Sequence, residues 1–352
     1  MKFIKKLFIL LNVLLAIASF ICYVSPNIDP EINWYFSFFG LSFPILLIFN
    51  ILFIGLWLFV DIKLTLISLL TLACGWVFIK GFFAFNTEKS SNRKNAFSVV
   101  SFNISNAMSA YDSNSALRKE KTKEMEQFIK RFKDEDVICL QETGPFALDL
   151  LRKNFPTWNF HTLNKGSIIL TKNPLIKKGE IDFGTITNSC LWADIVINFD
   201  TLRFYSIHLQ SNRISKDADD MIEKGNLKDK KIWLGIKGIL RKYRTFHVKR
   251  AAQAKLVKSH SETSPYPTIL CGDLNDTPIS YTYAHLSSGL KDAFYERGTG
   301  IGTTYSGKIP FLRIDYIFSS PVVKALTFQV IKEDYSDHYP IAALFELEES
   351  SK

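Results

Sequence analysis

Three apolar runs fill the first quarter of the chain, at residues 7–24, 35–60 and 64–85. The first two carry no charge, and the third holds only Lys80, near its end. A helix needs about 20 such residues to cross the hydrocarbon core of a bilayer, where no water can satisfy an open backbone. A secretory signal peptide is a rival for the first run, because Lys2, Lys5 and Lys6 precede it. Against that rival, "YVSPNIDP" follows the run where a small-x-small cleavage site would stand. A helix pair buried in a globular core is the other alternative. The reading adopted is three transmembrane helices, with the second and third joined by a hairpin at 61–63.

The lysines set the orientation. Lys2, Lys5, Lys6 and Lys63 favour a cytoplasmic N-terminus and a cytoplasmic hairpin, while the loop 25–33 has Asp29 and Glu31 and no base. Three crossings then place the residues beyond 86 outside the cytoplasm, against the weaker pull of Lys89, Arg93 and Lys94.

Beyond a polar linker at 87–96 the composition changes to that of a soluble domain, residues 97–348, large enough for a substantial core. Short strand-like runs recur at 97–103, 137–141, 167–171, 190–197, 202–208, 268–271, 314–318 and 342–346. Helical patterns lie at 116–132 and 249–260. This mixture implies an α+β class: two packed mixed β-sheets flanked by helices, an α/β sandwich. The five cysteines form no CxxC or Cys/His cluster, so neither a disulfide framework nor a zinc site is expected.

Residues 211–260 depart from this rhythm, with fourteen Lys/Arg against five Asp/Glu. Ile232, Trp233, Ile236, Ile239, Leu240, Tyr243 and Phe246 fall on one helical stripe, and bases occupy the other faces. The pattern is a basic amphipathic helix at 230–246, inside an insertion at 211–248, suited to an anionic surface. A solvated, charged insertion is the plainer alternative.

Several apolar strands end in an acid, an amide or a histidine. "ILCGDLNDTP" delivers Asp273 and Asn275; "VVSFNIS", Asn103; "VICLQET", Glu142; "RFYSIHLQS", His208. "RIDYIF" carries Asp315, and "YSDHYP" sets Asp337 beside His338. Each is weak alone, since turn formers end strands for purely structural reasons. Converging on one rim, they would make a metal-dependent phosphoester site. Carboxylate oxygens suit Mg²⁺ (or Mn²⁺), an acid can activate water, and histidines can stabilise phosphoryl oxygens.

The ordered set "SFNIS", "LQET", "GSIILTKNPL", "SIHLQS", "CGDLNDTP", "RIDYIF" and "SDHYPI" resembles the endonuclease/exonuclease/phosphatase superfamily, with its deoxyribonuclease-I-like fold, across residues 97–346. The resemblance implies metal-side roles for Asn103, Glu142 and Asp337. It implies a phosphate-contacting role for His208, and water activation by Asp273 with its companion Asn275. It pairs Asp315 with His338. Two departures stand out. Ser105 occupies the position where many nucleases of the family place an acid. The tyrosine of abasic-site nucleases gives way to "SIHLQS", which fits a DNase-, sphingomyelinase- or phosphatase-like branch better than DNA repair.

Three functions follow: a phosphodiesterase acting on nucleic acid, a phosphodiesterase or phosphatase acting on lipid headgroups or small phosphoesters, or a catalytically silent binding protein. The basic segment serves the first by contacting backbone phosphates and the second by lying on the bilayer.

Overall fold

Alternation with period two decides which strand residues meet. The computed structural model describes residues 2–86, 95–110, 115–163, 165–211, 230–307 and 311–348; for 108–110, 115–116 and 230–236 it describes the backbone alone. Residues 87–94 of the expected linker and 212–229 of the expected insertion therefore lie outside the described residues.

Two six-stranded sheets form the larger unit. One has the order β10 (Lys291–Asp292), β12 (Asp315–Ser319), β9 (Thr268–Asp273), β8 (Asp200–His208), β7 (Ser189–Ile197), β6 (Leu175–Ile181). The other runs β13 (Val323–Val330), β14 (Ile341–Leu347), β2 (Ala96–Asn103), β3 (Val137–Gln141), β5 (Ile168–Thr171), β4 (Asn159–Thr162). A two-stranded pair, β1 (Phe83–Phe85) with β11 (Thr299–Ile301), stands apart. The sheets are mixed. The β2–β3 and β8–β9 pairs are parallel, and each needs a long crossover. Helix Ser115–Lys130 supplies the first and helix Lys230–Glu262 the second.

On β2 the odd residues Phe97 and Val99 enter the core between the sheets, with Cys139, Phe204, Ile269, Cys271 and Ile317. The even residues Val100 and Phe102 face outward, under Met125, Phe128 and Ile129 of the crossover helix. Continuing inward, the odd positions become polar: Ser101 then Asn103 on β2, and Cys139 then Gln141 on β3. Likewise Ser206 precedes His208 on β8, and Cys271 precedes Asp273 on β9. The inter-sheet face thus turns polar where the parallel strands end.

By connectivity in space the chain divides into two units, one from 1–81, 210–252 and 277–285, the other from 82–209, 253–276 and 286–352. The first holds the apolar helices. Lys2–Asn27 and Phe43–Val60 are each long and apolar enough to cross a membrane. The run expected as one helix over 35–60 is split into Tyr35–Leu41 and Phe43–Val60, because Pro44 cannot donate a backbone hydrogen bond and opens a new helix. The third run is also broken. Segments Ile62–Cys74 and Trp76–Phe82 meet at 66°, and residues 83–85 leave the helix to form β1. Gly75 sits at the bend, where an added Cβ would lie 2.3 Å from the Tyr23 ring.

Within this unit polar side chains pair between helices. Trp57 Nε1 donates to Asn12 Oδ1 at 2.8 Å, Asn12 Nδ2 to Ser68 Oγ at 2.8 Å, and Asn50 Nδ2 to Ser19 Oγ at 3.0 Å. Lys5 and Asp61 form an ion pair at 2.7 Å. Ser25 Oγ donates to the Ile279 carbonyl at 2.9 Å, and a Cβ on Gly40 would crowd that carbonyl at 2.9 Å. The bases expected on a separate helix at 230–246 instead belong to one helix with 249–260, since no Gly or Pro interrupts 239–262.

Candidate active site

Register aligns the polar strand ends. In the sheet containing β9, His208 pairs with Asp273 across β8–β9, and Asp315 pairs with Asp273 across β12–β9. In the other sheet Asn103 pairs with Gln141, one residue before Glu142. Gly272 makes the first alignment possible. It has φ of 144°, and a Cβ there would lie 1.9 Å from the Ile207 carbonyl. Only a residue without a side chain lets β9 approach β8 this closely just before Asp273.

Asp273 is the centre. Its side chain is 1% exposed. Oδ1 accepts the Asn275 backbone N–H at 2.7 Å; Oδ2 accepts Asn103 Nδ2 and Asn275 Nδ2, each at 3.0 Å. Asn275 Nδ2 also donates to the Leu209 carbonyl at 3.1 Å. Asn275 has φ of 53°, a left-handed conformation that asparagine tolerates and that folds its amide back on Asp273. Burial pushes the Asp273 carboxyl up to about 6, against the pull of His338 and His208.

Two histidines flank that carboxylate. His208 Nε2 lies 3.9 Å from Asp273 Oδ2, and His338 Nε2 lies 3.8 Å from the same oxygen. His338 Nδ1 is held by Asp315 Oδ2 at 2.9 Å. Asp315 N–H and Ile314 N–H both donate to Thr304 Oγ1, which fixes the start of β12. Burial pulls the His338 imidazole down, but Asp315 and Asp273 together outweigh it and raise it to about 10. His208 is also raised: burial lowers it, and Glu142 and Asp273 overcome that effect. Its Nε2 lies 3.3 Å from Glu142 Oε1, as an ion pair without hydrogen-bond alignment.

Glu142 stands at the mouth, its side chain 41% exposed. The adjacent His208 is the main cause that holds its carboxyl down at about 2, with Asn103 adding to the effect. Its φ is 51°, and Ser105, Asn106 and Ala107 are left-handed as well, at 45°, 53° and 55°. Four non-glycine residues in this region concentrate backbone strain beside the site, a common mark of a functional constraint. Ser105 N–H donates to Asn103 Oδ1 at 3.1 Å, which leaves that oxygen a second lone pair.

The expected residues Asn103, Glu142, His208, Asp273, Asn275, Asp315 and His338 thus meet in one cluster. Asp337 is exposed, and its carboxylate accepts Ser336 Oγ at 3.3 Å. It belongs to neither of the groups with metal-ligand spacing among the described residues, Glu142–His208–Asp273 and Asp273–Asp315–His338. In the second of these His338 Nδ1 is already engaged by Asp315 Oδ2 at 2.9 Å. The first side fits a hard cation better: an ionised, accessible carboxylate and a carboxamide oxygen lie together. Sequence reasoning missed Thr304 and Ser336. Ser336 Oγ donates to the Asn103 carbonyl at 2.8 Å. Neither residue ends a strand, so no pattern marked it.

A sequence model of the endonuclease/exonuclease/phosphatase family matches residues 100–338. Another, described as a domain of unknown function, DUF8431, matches residues 5–82. No curated protein matches the chain significantly. Among solved structures, a humanized D. rerio TDP2 superposes with a TM-score of 0.53 at 18% identity, covering 72% of this chain and 100% of that one. An endonuclease/exonuclease/phosphatase family protein from Bacteroides thetaiotaomicron gives 0.52 at 17%, with 72% and 98% covered. A mannosyl-6-phosphatase from the same organism gives 0.50 at 18%, with 71% and 99% covered. At such identities the superpositions speak for the fold alone, and it is the sequence match over 100–338, a range that spans the strand ends named above, that makes this chain a member of the endonuclease/exonuclease/phosphatase family of phosphoester hydrolases.

Proposed function

We propose that the chain is a membrane-anchored, divalent-metal-dependent phosphodiesterase. The observation that carries this reading is the single carboxylate, Asp273, held between two histidines and two amides where the inter-sheet face turns polar. Asp273 takes a proton from, or orients, the attacking water, and Asn103 and Asn275 fix its oxygens. His338, kept protonated by Asp315, and His208 donate to phosphoryl oxygens as negative charge builds. Glu142 and Asn103, with Asp337 as a further acid, would hold Mg²⁺ or Mn²⁺. When bound, such an ion neutralises phosphate and leaving-group charge.

A nucleic-acid phosphodiester is the first substrate class, supported by the likeness to a D. rerio TDP2 that was solved with a single-strand DNA product. A lipid headgroup or small phosphoester is the second, supported by the apolar helices and by the mannosyl-6-phosphatase likeness. The test is turnover of DNA, RNA, phospholipid and sugar phosphate by the purified full chain. Mg²⁺ or Mn²⁺ should be required, and excess chelator should abolish turnover reversibly. Full turnover in chelator would overturn the metal-dependent reading.

Three spans, with the catalytic domain outside the cytoplasm, complete the proposal, on the lysine distribution around the apolar runs. A reporter fused after residue 352 should behave as extracytoplasmic. Cytoplasmic behaviour would place the domain on the other face.

A further inference from the structure

We propose that Lys237, Arg241 and Arg244, the exposed basic flank of helix Lys230–Glu262, dock on the anionic headgroups of the bilayer that the chain's own helices cross. The inference rests on the membrane-anchored reading above and adds a lipid-recognising surface to it.

Another face of this helix is anchored within the unit that holds the apolar helices. Tyr243 is buried, its hydroxyl donates to the Ser37 carbonyl at 2.8 Å, and its ring meets the edge of Phe38 with centroids 5.9 Å apart. Trp34 packs on the same ring, and Trp34 in turn stacks on Tyr35 at 4.1 Å. These aromatics lie in the short connection between the two long apolar helices, after Val24 and before Phe43. Trp and Tyr at the end of a span mark the headgroup level, where an amphipathic ring has one wet side. The Tyr243 contact therefore fixes the basic helix at that level.

Helical geometry then decides what faces the lipid. Tyr243, His247 and Arg250 recur at i, i+4 and i+7 and form the buried face. Lys237, Arg241 and Arg244 recur with the same spacing and are exposed. At about 100° per residue the two stripes lie roughly a third of a turn apart, so the bases flank the anchored face rather than oppose it. Leu240 lies between the stripes and is 37% exposed. Residues 237–249 contain no acid. Bases beside a face fixed at the interface, with one exposed leucine between, match an anionic lipid surface; long basic side chains reach headgroups while their stems lie on apolar material. A nucleic acid would use the same charges, but stacking needs open aromatic faces. Tyr243, beside the bases, is already engaged with Trp34, Phe38 and His247.

The test uses the full chain with Cys74→Ser, which removes the one exposed cysteine among the described residues, and Leu240→Cys carrying a polarity-sensitive fluorophore. The protein is reconstituted into phosphatidylcholine vesicles with or without phosphatidylglycerol, and quenching by a headgroup nitroxide lipid is measured. At low salt, quenching should be at least about twofold greater in the anionic vesicles and should fade at high salt. Lys237→Gln/Arg241→Gln/Arg244→Gln should reduce it to the zwitterionic level with an unchanged thermal midpoint. Equal quenching in both vesicle types, or in the charge variant with its midpoint intact, overturns the proposal. So does a probe that responds to a single-stranded oligonucleotide and not to anionic lipid. Resistance to alkaline carbonate extraction separates the two readings. A chain that resists extraction but shows no anionic preference sinks the docking surface alone, and one that is extracted sinks the membrane reading and the surface together.

Discussion

Asp273→Asn is expected to lower turnover by about 10²–10⁴-fold, the usual range for loss of a general base. The carboxylate is buried and accepts three donors, two from Asn275 and one from Asn103. An asparagine can keep its oxygen toward only part of that set. Its NH₂ must then face a donor, which misplaces the surrounding amides as well as removing the base. Burial has raised the carboxyl to about 6, so the wild-type rate should fall as pH drops through about 6, and more gently where a bound cation favours the ionised form. Stability moves the opposite way. A carboxyl harder to ionise in the folded state favours folding below about 4, and that contribution is lost as pH rises through about 6. The Asn variant should therefore lose catalysis without a matching loss of thermal stability at neutral pH. Measuring kcat and the unfolding midpoint on the same preparations separates the two effects. Near-normal kcat in the variant would remove Asp273 from the proposed role.

Much of this site was legible because chemistry at a strand end interrupts an apolar alternation. "TILCGD" is buried throughout and stops on an acid, a signal that is weak alone and gains weight from its repetition on neighbouring strands. The same logic exposed Asn103, His208 and Asp315 one by one, and the resemblance supplied their grouping. Period two explains the grouping physically: each is the outermost inward-facing residue of its strand. The edge strands were not legible. β6, "LIKKGEI", shows its middle to solvent and reads as a polar connection, and β4 and β13 are likewise the ends of their sheets. The apolar helices were legible as runs but not as shapes. Their breaks at Ser42 and Gly75 depend on what one proline and one tyrosine ring do in three dimensions. Thr304 and Ser336 act through backbone groups of Asp315 and Asn103, contacts that exist only once the loops are folded.

His338 sets the second large effect. His338→Ala should reduce kcat by at least about 10²-fold, because in the proposed mechanism it removes a buried cation that stabilises growing phosphoryl charge. Asp315→Asn tests why that cation exists. The Asp315 carboxylate lies 2.9 Å from Nδ1 and is the largest of the influences that raise the imidazole, to about 10, against burial. A carboxamide oxygen in its place still accepts from Nδ1 and preserves the ring's orientation, but brings no charge. The raised value means that proton-linked stability is full below about 6.5 and is lost as pH rises through about 10. Without the Asp315 charge, burial pulls the imidazole down and the loss begins at lower pH. The alkaline limb of the pH–rate profile should follow, moving from near 10 toward neutrality. At pH 8 the Asn variant should then be at least about tenfold slower than wild type, and it should recover much of that loss at pH 6.5. A merely structural role for Asp315 would depress the rate equally at every pH. An alkaline limb unchanged between Asp315→Asn and wild type would show that His338 does not act as the proton-bearing cation of this site.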